Sequence, residues 1–143
     1  LGVYKNVSLS LWLGNATVAD LLPIRQQYQA LANSMGRFGS LVVIHAVKNE
    51  HVSNEVRQAA AVLRKDFSSH LLAEANVIEA KGFLATTARL TMRAIRLLKP
   101  PSYPCEIFDQ SQDAVDWVAK HSKLPPLELH DAFHRLKRDA GLL

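Results

Sequence analysis

His130 and His134, in the run His130-Asp131-Ala132-Phe133-His134, stand four residues apart and so share one face of a helix. That is the spacing of the two imidazoles in His-Glu-x-x-His zinc sites. Asp131 fills the place of the glutamate base with a side chain one methylene shorter, and no third ligand is apparent. The pair reads as partly exposed histidines on a helix surface, with no metal. Cys105 beside Glu106 could set a thiol against a carboxylate, yet it lies between Pro104 and Ile107 in an apolar strand, where a thiol is inert packing. His45 at a strand end and His51 in the following loop mark the edge where open α/β sheets place ligands, although histidines held for structure are commoner. Neither Gly-x-Gly-x-x-Gly nor Gly-Lys-Ser/Thr occurs, which excludes nucleotide binding through those phosphate cradles. No catalytic constellation emerges, no cofactor is implied, and an enzyme is not expected.

Two basic clusters stand out. Arg89, Arg93 and Arg96, with Lys99 nearby, form a stripe along one helix, and Arg135, Lys137 and Arg138 gather near the end of the sequence. The stripe reads as solvated helix surface whose late cations complement the dipole, or as the contact for an anionic partner, acidic protein or lipid headgroup. Nucleic-acid readers interleave aromatics with such cations or carry a recognisable motif, and this sequence does neither.

These groups need elements to hold them. Val7 to Leu13 alternates, with Val7, Leu9, Leu11 and Leu13 on one side and Ser8, Ser10 and Trp12 on the other, which predicts a strand with one buried face. Leu1 to Lys5 is a short preceding strand, turned by Lys5-Asn6. Thr17 opens a helix, with Asp20 as a variant of the capping box and Gly36 at its C-cap. Leu41 to Ala46 is a strand buried on both faces, followed by the polar loop Lys48-Asn49-Glu50-His51-Val52-Ser53-Asn54. The next helix buries Val56, Ala59, Ala60, Leu63 and Phe67. Ala75 to Ala80 is a third strand, and a further helix buries Leu84, Ala88, Met92, Ile95 and Leu98 before Pro100-Pro101 stops it. Cys105 to Phe108 is the last strand, and Ser111 caps a short helix. Beyond Leu124-Pro125-Pro126, a helix carrying Leu129, Phe133 and Leu136 either packs back on the domain or reaches a partner. The alternation of strand and helix predicts an α/β fold with a mixed, mostly parallel sheet covered by helices. Residues 1–123 form the domain and 124–143 an extra C-terminal helix.

Composition agrees with a globular chain. The 143 residues are 48% hydrophobic and 21% charged, and one cysteine cannot close an internal disulfide, which fits a reducing compartment. The apolar runs are too short to span a bilayer, and no leader pattern opens the sequence, so the two sequons at Asn6 and Asn15 are discounted and a cytoplasmic protein is expected. A net charge of +4 suits weak attraction to phosphates or anionic lipid without identifying either.

The run Leu11-Trp12-Leu13-Gly14-Asn15-Ala16-Thr17-Val18-Ala19-Asp20 resembles the start of STAS-like domains, relatives of the anti-sigma-factor antagonists. Asp113-Ala114-Val115-Asp116-Trp117-Val118, after a strand ending Phe108-Asp109, resembles the helix that ends many bacterial STAS/CRAL-TRIO-like proteins. In element order the resemblance spans roughly residues 3–121. It implies a non-enzymatic regulatory or protein-protein interaction module. Antagonist members are phosphorylated on a serine in the loop entering the second helix, and that loop here holds Ser53. His51-Val52-Ser53-Asn54-Glu55 stands where the family has Asp-Ser-Ser-Gly, so the residues themselves read Ser53 as a helix N-cap. The implied switch and partner surface is Lys48, Asn49, His51, Ser53, Asn54 and Arg57. The CRAL-TRIO-like relatives imply an alternative, a carrier for a lipid or small apolar ligand in a sizeable apolar pocket.

Overall fold

A computed structural model describes residues 1–14, 16–45, 53–79 and 81–143. Five strands, β1 (Gly2–Tyr4), β2 (Val7–Trp12), β3 (Phe38–Ile44), β4 (Leu71–Ile78) and β5 (Cys105–Phe108), lie side by side in sequence order. β1 runs antiparallel to β2, joined through Lys5 at a positive φ of 49°, and the other pairs are parallel. Five helices accompany them: α1 (Leu21–Met35), α2 (Asn54–Asp66), α3 (Phe83–Leu98), α4 (Ser111–Ser122) and α5 (Pro126–Asp139). The mostly parallel α/β sheet expected from the sequence is therefore the fold.

Because the parallel strands advance in one direction across the sheet, right-handed crossovers keep α1, α2 and α3 on one face. The opposite face belongs to α4 and α5. There Val7, Leu9, Leu41, Val43, Ala75 and Val77 pack against Ala114, Val115 and Val118 of α4 and Leu129 and Phe133 of α5. Of the two fates foreseen for the helix beyond Pro125-Pro126, packing back is the one observed. Tyr4 and Lys5 also donate to Glu128, tying β1 to the start of α5.

The α1 face corrects the sequence reading. Ser8 and Ser10 were expected on the open side of a half-buried strand, but both are buried. Ser8, Ser40, Glu74 and Cys105 are register partners across four strands, a polar row beneath helices. The helices supply partners for three of the four. Gln27 of α1 donates to Ser8 Oγ at 2.6 Å, Tyr28 shares a 2.7 Å hydrogen bond with Ser40, and Arg64 of α2 donates to Glu74 at 2.8 Å. Asn76 adds a second donor to Glu74 at 2.9 Å and lies 3.8 Å from Cys105 Sγ. A buried carboxylate requires such pairing, and removing one partner would strand the other charge. Around this row Ile24, Leu31, Phe38, Leu63, Phe67, Leu71 and Tyr103 close the second core.

Boundaries shift locally. The Thr17 N–H and hydroxyl both donate to Asp20, at 2.7 and 2.9 Å, but they close a turn and α1 begins only at Leu21. Pro23 then falls at the third helical position, where no intrahelical donor is lost. β3 and β4 start earlier than their β-branched runs, at Phe38 and Leu71. Ser111 is the first residue of α4 rather than its cap, and its hydroxyl bonds instead to the Glu79 carboxylate.

Candidate functional site

Lys48, Asn49 and His51 lie outside the described residues. Ser53 is the N-cap of α2, with extended backbone and its Oγ accepting from the Val56 N–H at 3.2 Å. Asn54 is the first helical residue rather than loop. Ser53, Asn54 and Arg57 are all exposed. The start of α2 is thus a capped, accessible, polar surface.

The larger departure is α3. Its arginine stripe, expected beside a buried apolar face, turns inward. Arg89 donates to the Ile78 carbonyl at 2.8 Å, Arg93 to that of Ile107 at 3.1 Å, and Arg96 to that of Cys105 at 2.6 Å. β5 is an edge strand, and edges expose rows of unpaired carbonyls. Arg93 and Arg96 occupy two of them. Arg89 and Arg93 also pair with Asp109, at 3.1 and 3.4 Å, and Arg96 with Glu106 at 3.2 Å. The stripe proposed for an anionic partner is bonded to this chain's own edge.

What that leaves outside is apolar. Phe83, Leu97 and Leu98 are each more than 80% exposed, and Leu90 and Ile95 more than half. Phe83, Leu90 and Leu97 recur every seven residues, so they form one stripe. Ile95 and Leu98, assigned to the core from spacing, are exposed here. The helix is apolar around much of its circumference, and periodicity alone does not choose which side meets the sheet. The sequence signal that could have decided it is the run of residues 80–105, which holds three arginines and no acidic partner of its own. Those guanidinia must find acceptors elsewhere, and the strand edge supplies them. On α2, the outer side chain Val62 is also about half exposed.

The second feature lies at the C-terminal ends of the strands. After β4 the chain passes to α3 on one face, and after β5 to α4 on the other. Adjacent connections that leave in opposite directions open a crevice, the place where parallel sheets bind ligands. A cleft of about 580 Å³ occupies it, lined by His45, Glu79, Lys81, Gly82, Arg89, Asp109, Gln110, Ser111 and Lys137. Glu79 is its best-connected group. His45 Nδ1 lies 2.9 Å from one carboxylate oxygen and Lys137 Nζ donates to the other at 2.6 Å. Burial would raise the Glu79 pKa, but hydrogen bonds from His45, Lys137 and Ser111 outweigh it and hold it below the usual carboxylate value. His45, which the sequence marks at a strand end, borders this cleft and is paired with Glu79. His51 lies outside the described residues.

The remaining chemistry-bearing residues lie outside this cleft. His130 Nε2 lies 2.8 Å from Asp116, which joins α5 to α4, and His134 is exposed. Among the described residues no group of three or more His, Cys, Asp or Glu could hold a metal ion. Burial, then the nearby Glu74 charge, pushes the Cys105 thiol up to about 11, which keeps it protonated and unreactive at neutral pH. Among the described residues no helix is long and apolar enough to cross a membrane. Compared with known proteins, the chain matches no family model, no curated protein and no solved structure.

Proposed function

We propose that this chain is a non-enzymatic docking module of STAS-like type that binds a partner protein through the outer face of α3 and the exposed start of α2. One observation carries the reading: α3 is fastened to the sheet by its arginines and presents Phe83, Leu90, Leu97 and Leu98 to solvent. Isolated exposed leucines are ordinary, but an aligned row of them marks an interaction surface.

Charge argues for the occupant. The face is flanked by Lys81 and Lys99, with no acidic residue between positions 80 and 105. A second copy packed antiparallel would set Lys81 against Lys99 with nothing to neutralise either. The complementary surface is apolar with an acidic rim, and the association weakens as salt rises. A membrane fits less well. Interfacial helices direct their cations beside the apolar face and favour tryptophan there. Here the arginines point at the sheet, and Trp12 and Trp117 pack elsewhere. The alternative of an apolar cargo is disfavoured by the charged lining of the strand-end cleft. Ser53 serves this reading as the cap that orders the start of α2.

The test is site-specific photocrosslinking from position 97, with position 135 on the opposite side as control. The reading expects one discrete protein adduct from position 97, none from 135, weakened by salt and lost in Leu90→Asp, whose circular dichroism should match wild type. No adduct, or one indifferent to Leu90→Asp, contradicts it. So does Leu90-dependent sedimentation with phosphatidylserine vesicles, or Leu90-dependent dimerisation, since each names a different occupant.

A further inference from the structure

We infer that the cleft at the strand ends binds a small molecule through an oxyanion, a phosphate or carboxylate group, independently of the outer face of α3. Its volume, about 580 Å³, falls within the range of small-molecule sites, and it lies where the β4 and β5 connections diverge. Its lining groups are not balanced. Lys81, Arg89 and Lys137 face two carboxylates, Glu79 and Asp109.

Both carboxylates are already occupied. Glu79 receives Lys137 and His45, at 2.6 and 2.9 Å, and Asp109 receives Arg89 and Arg93, at 3.1 and 3.4 Å. The cleft therefore offers a ligand few acceptors. Its open groups are donors: the Lys81 ammonium and the Gln110 amide, neither with a partner among the described residues. Gly82 adds bare backbone, since its φ of 102° excludes most side chains and no atom lies within 4 Å of where a Cβ would sit. The first turn of α4, beginning at Ser111, brings further N–H groups to the same wall. A net cationic crevice with unpartnered donors, whose own acids are paired, is complementary to an oxyanion.

Amide NMR titration of the intact chain tests this with inorganic phosphate, with acetate, and with sodium chloride at matched ionic strength. Saturable shifts confined to residues 81–82 and 109–112 are expected with phosphate, acetate or both. Which anion saturates separates the two chemistries. Lys81→Ala, at an exposed position, should weaken the response about tenfold while leaving the fold intact. The assignment is overturned if no shift saturates, if chloride reproduces it, if Lys81→Ala leaves it unchanged, or if it spreads to Arg135 and Arg138.

Discussion

Arg96 donates from its guanidinium to the Cys105 carbonyl at 2.6 Å, so the last turn of α3 is bound to the exposed edge of the sheet through a cation. An amphipathic helix ordinarily buries its apolar stripe and solvates its charges. In α3 the strand edge reverses that preference, because Arg93 and Arg96 together satisfy two carbonyls that would otherwise face solvent or another chain's strand.

Arg96→Met keeps the aliphatic stem and removes the donors to Cys105 and Glu106. Charge-assisted hydrogen bonds to partly buried acceptors contribute about 1.5–3 kcal/mol, and the solvent reaching this side chain lowers that to about 1 kcal/mol. The urea midpoint should fall accordingly, with more association through β5 seen by light scattering. An unchanged midpoint would mean the arginines do not hold the helix.

Alkaline pH should destabilise the fold in a defined window. Burial first, then the Glu74 charge, raises Tyr28 and Tyr103 above the ordinary phenol value and Cys105 to about 11. In the unfolded chain these groups titrate at about 10 and about 8.5. Native pKa values above unfolded ones mean a contribution fully present below about pH 8.5 and lost as pH rises through the native values. Denaturation midpoints should be level to about pH 8 and fall by pH 10.5. Tyr103→Phe removes a buried hydroxyl with no hydrogen-bond partner, so it should cost nothing at pH 7 and soften the alkaline loss. A flat profile for the wild-type chain would contradict this.

Gly39 lets α4 approach the sheet. A Cβ there would collide with Ser122 Oγ and lie 3.2 Å from Val118 Cγ1. Gly39→Ala should therefore destabilise by about 1–3 kcal/mol through overpacking. Ser122 Oγ is itself buried without a partner, so Ser122→Ala alone should be neutral or slightly stabilising and should recover part of the loss in the double variant. Additive effects in the thermal midpoints would place the conflict elsewhere.

Much of this was legible in the sequence. Alternation around β2, the β-branched run of β3 and the helix stops at Gly36 and Pro100 give the order of elements, and that order gives a mostly parallel sheet. Ser8 and Ser10 were not legible as buried, because a polar residue in a strand reads as solvent-facing until the helix above it is known to bring Gln27. Ile95 and Leu98 went wrong for the same reason on a helix. The spacing marks an apolar face, but what the opposite face can bond to depends on β5, whose backbone acceptors no side-chain pattern records. The sequence marked the strand edge through His45 and His51 but favoured histidines held for structure, because the cleft's charges come from residues distant in sequence, Lys137 among them.

The orientation of α3 is the claim on which the docking face rests, and thiol labelling reads it directly, because Cys105 at a pKa of about 11 is about one part in a thousand thiolate at pH 8. Leu97→Cys and Ala85→Cys place single reporters at positions 81% and 1% exposed. Leu97→Cys should react with a maleimide near the rate of a free thiol in the native protein, while Ala85→Cys should be protected at least about a hundredfold. Protection of Leu97→Cys together with rapid labelling of Arg89→Cys, at a side chain only 14% exposed here, would show the arginines outside and the leucines buried, and would contradict it.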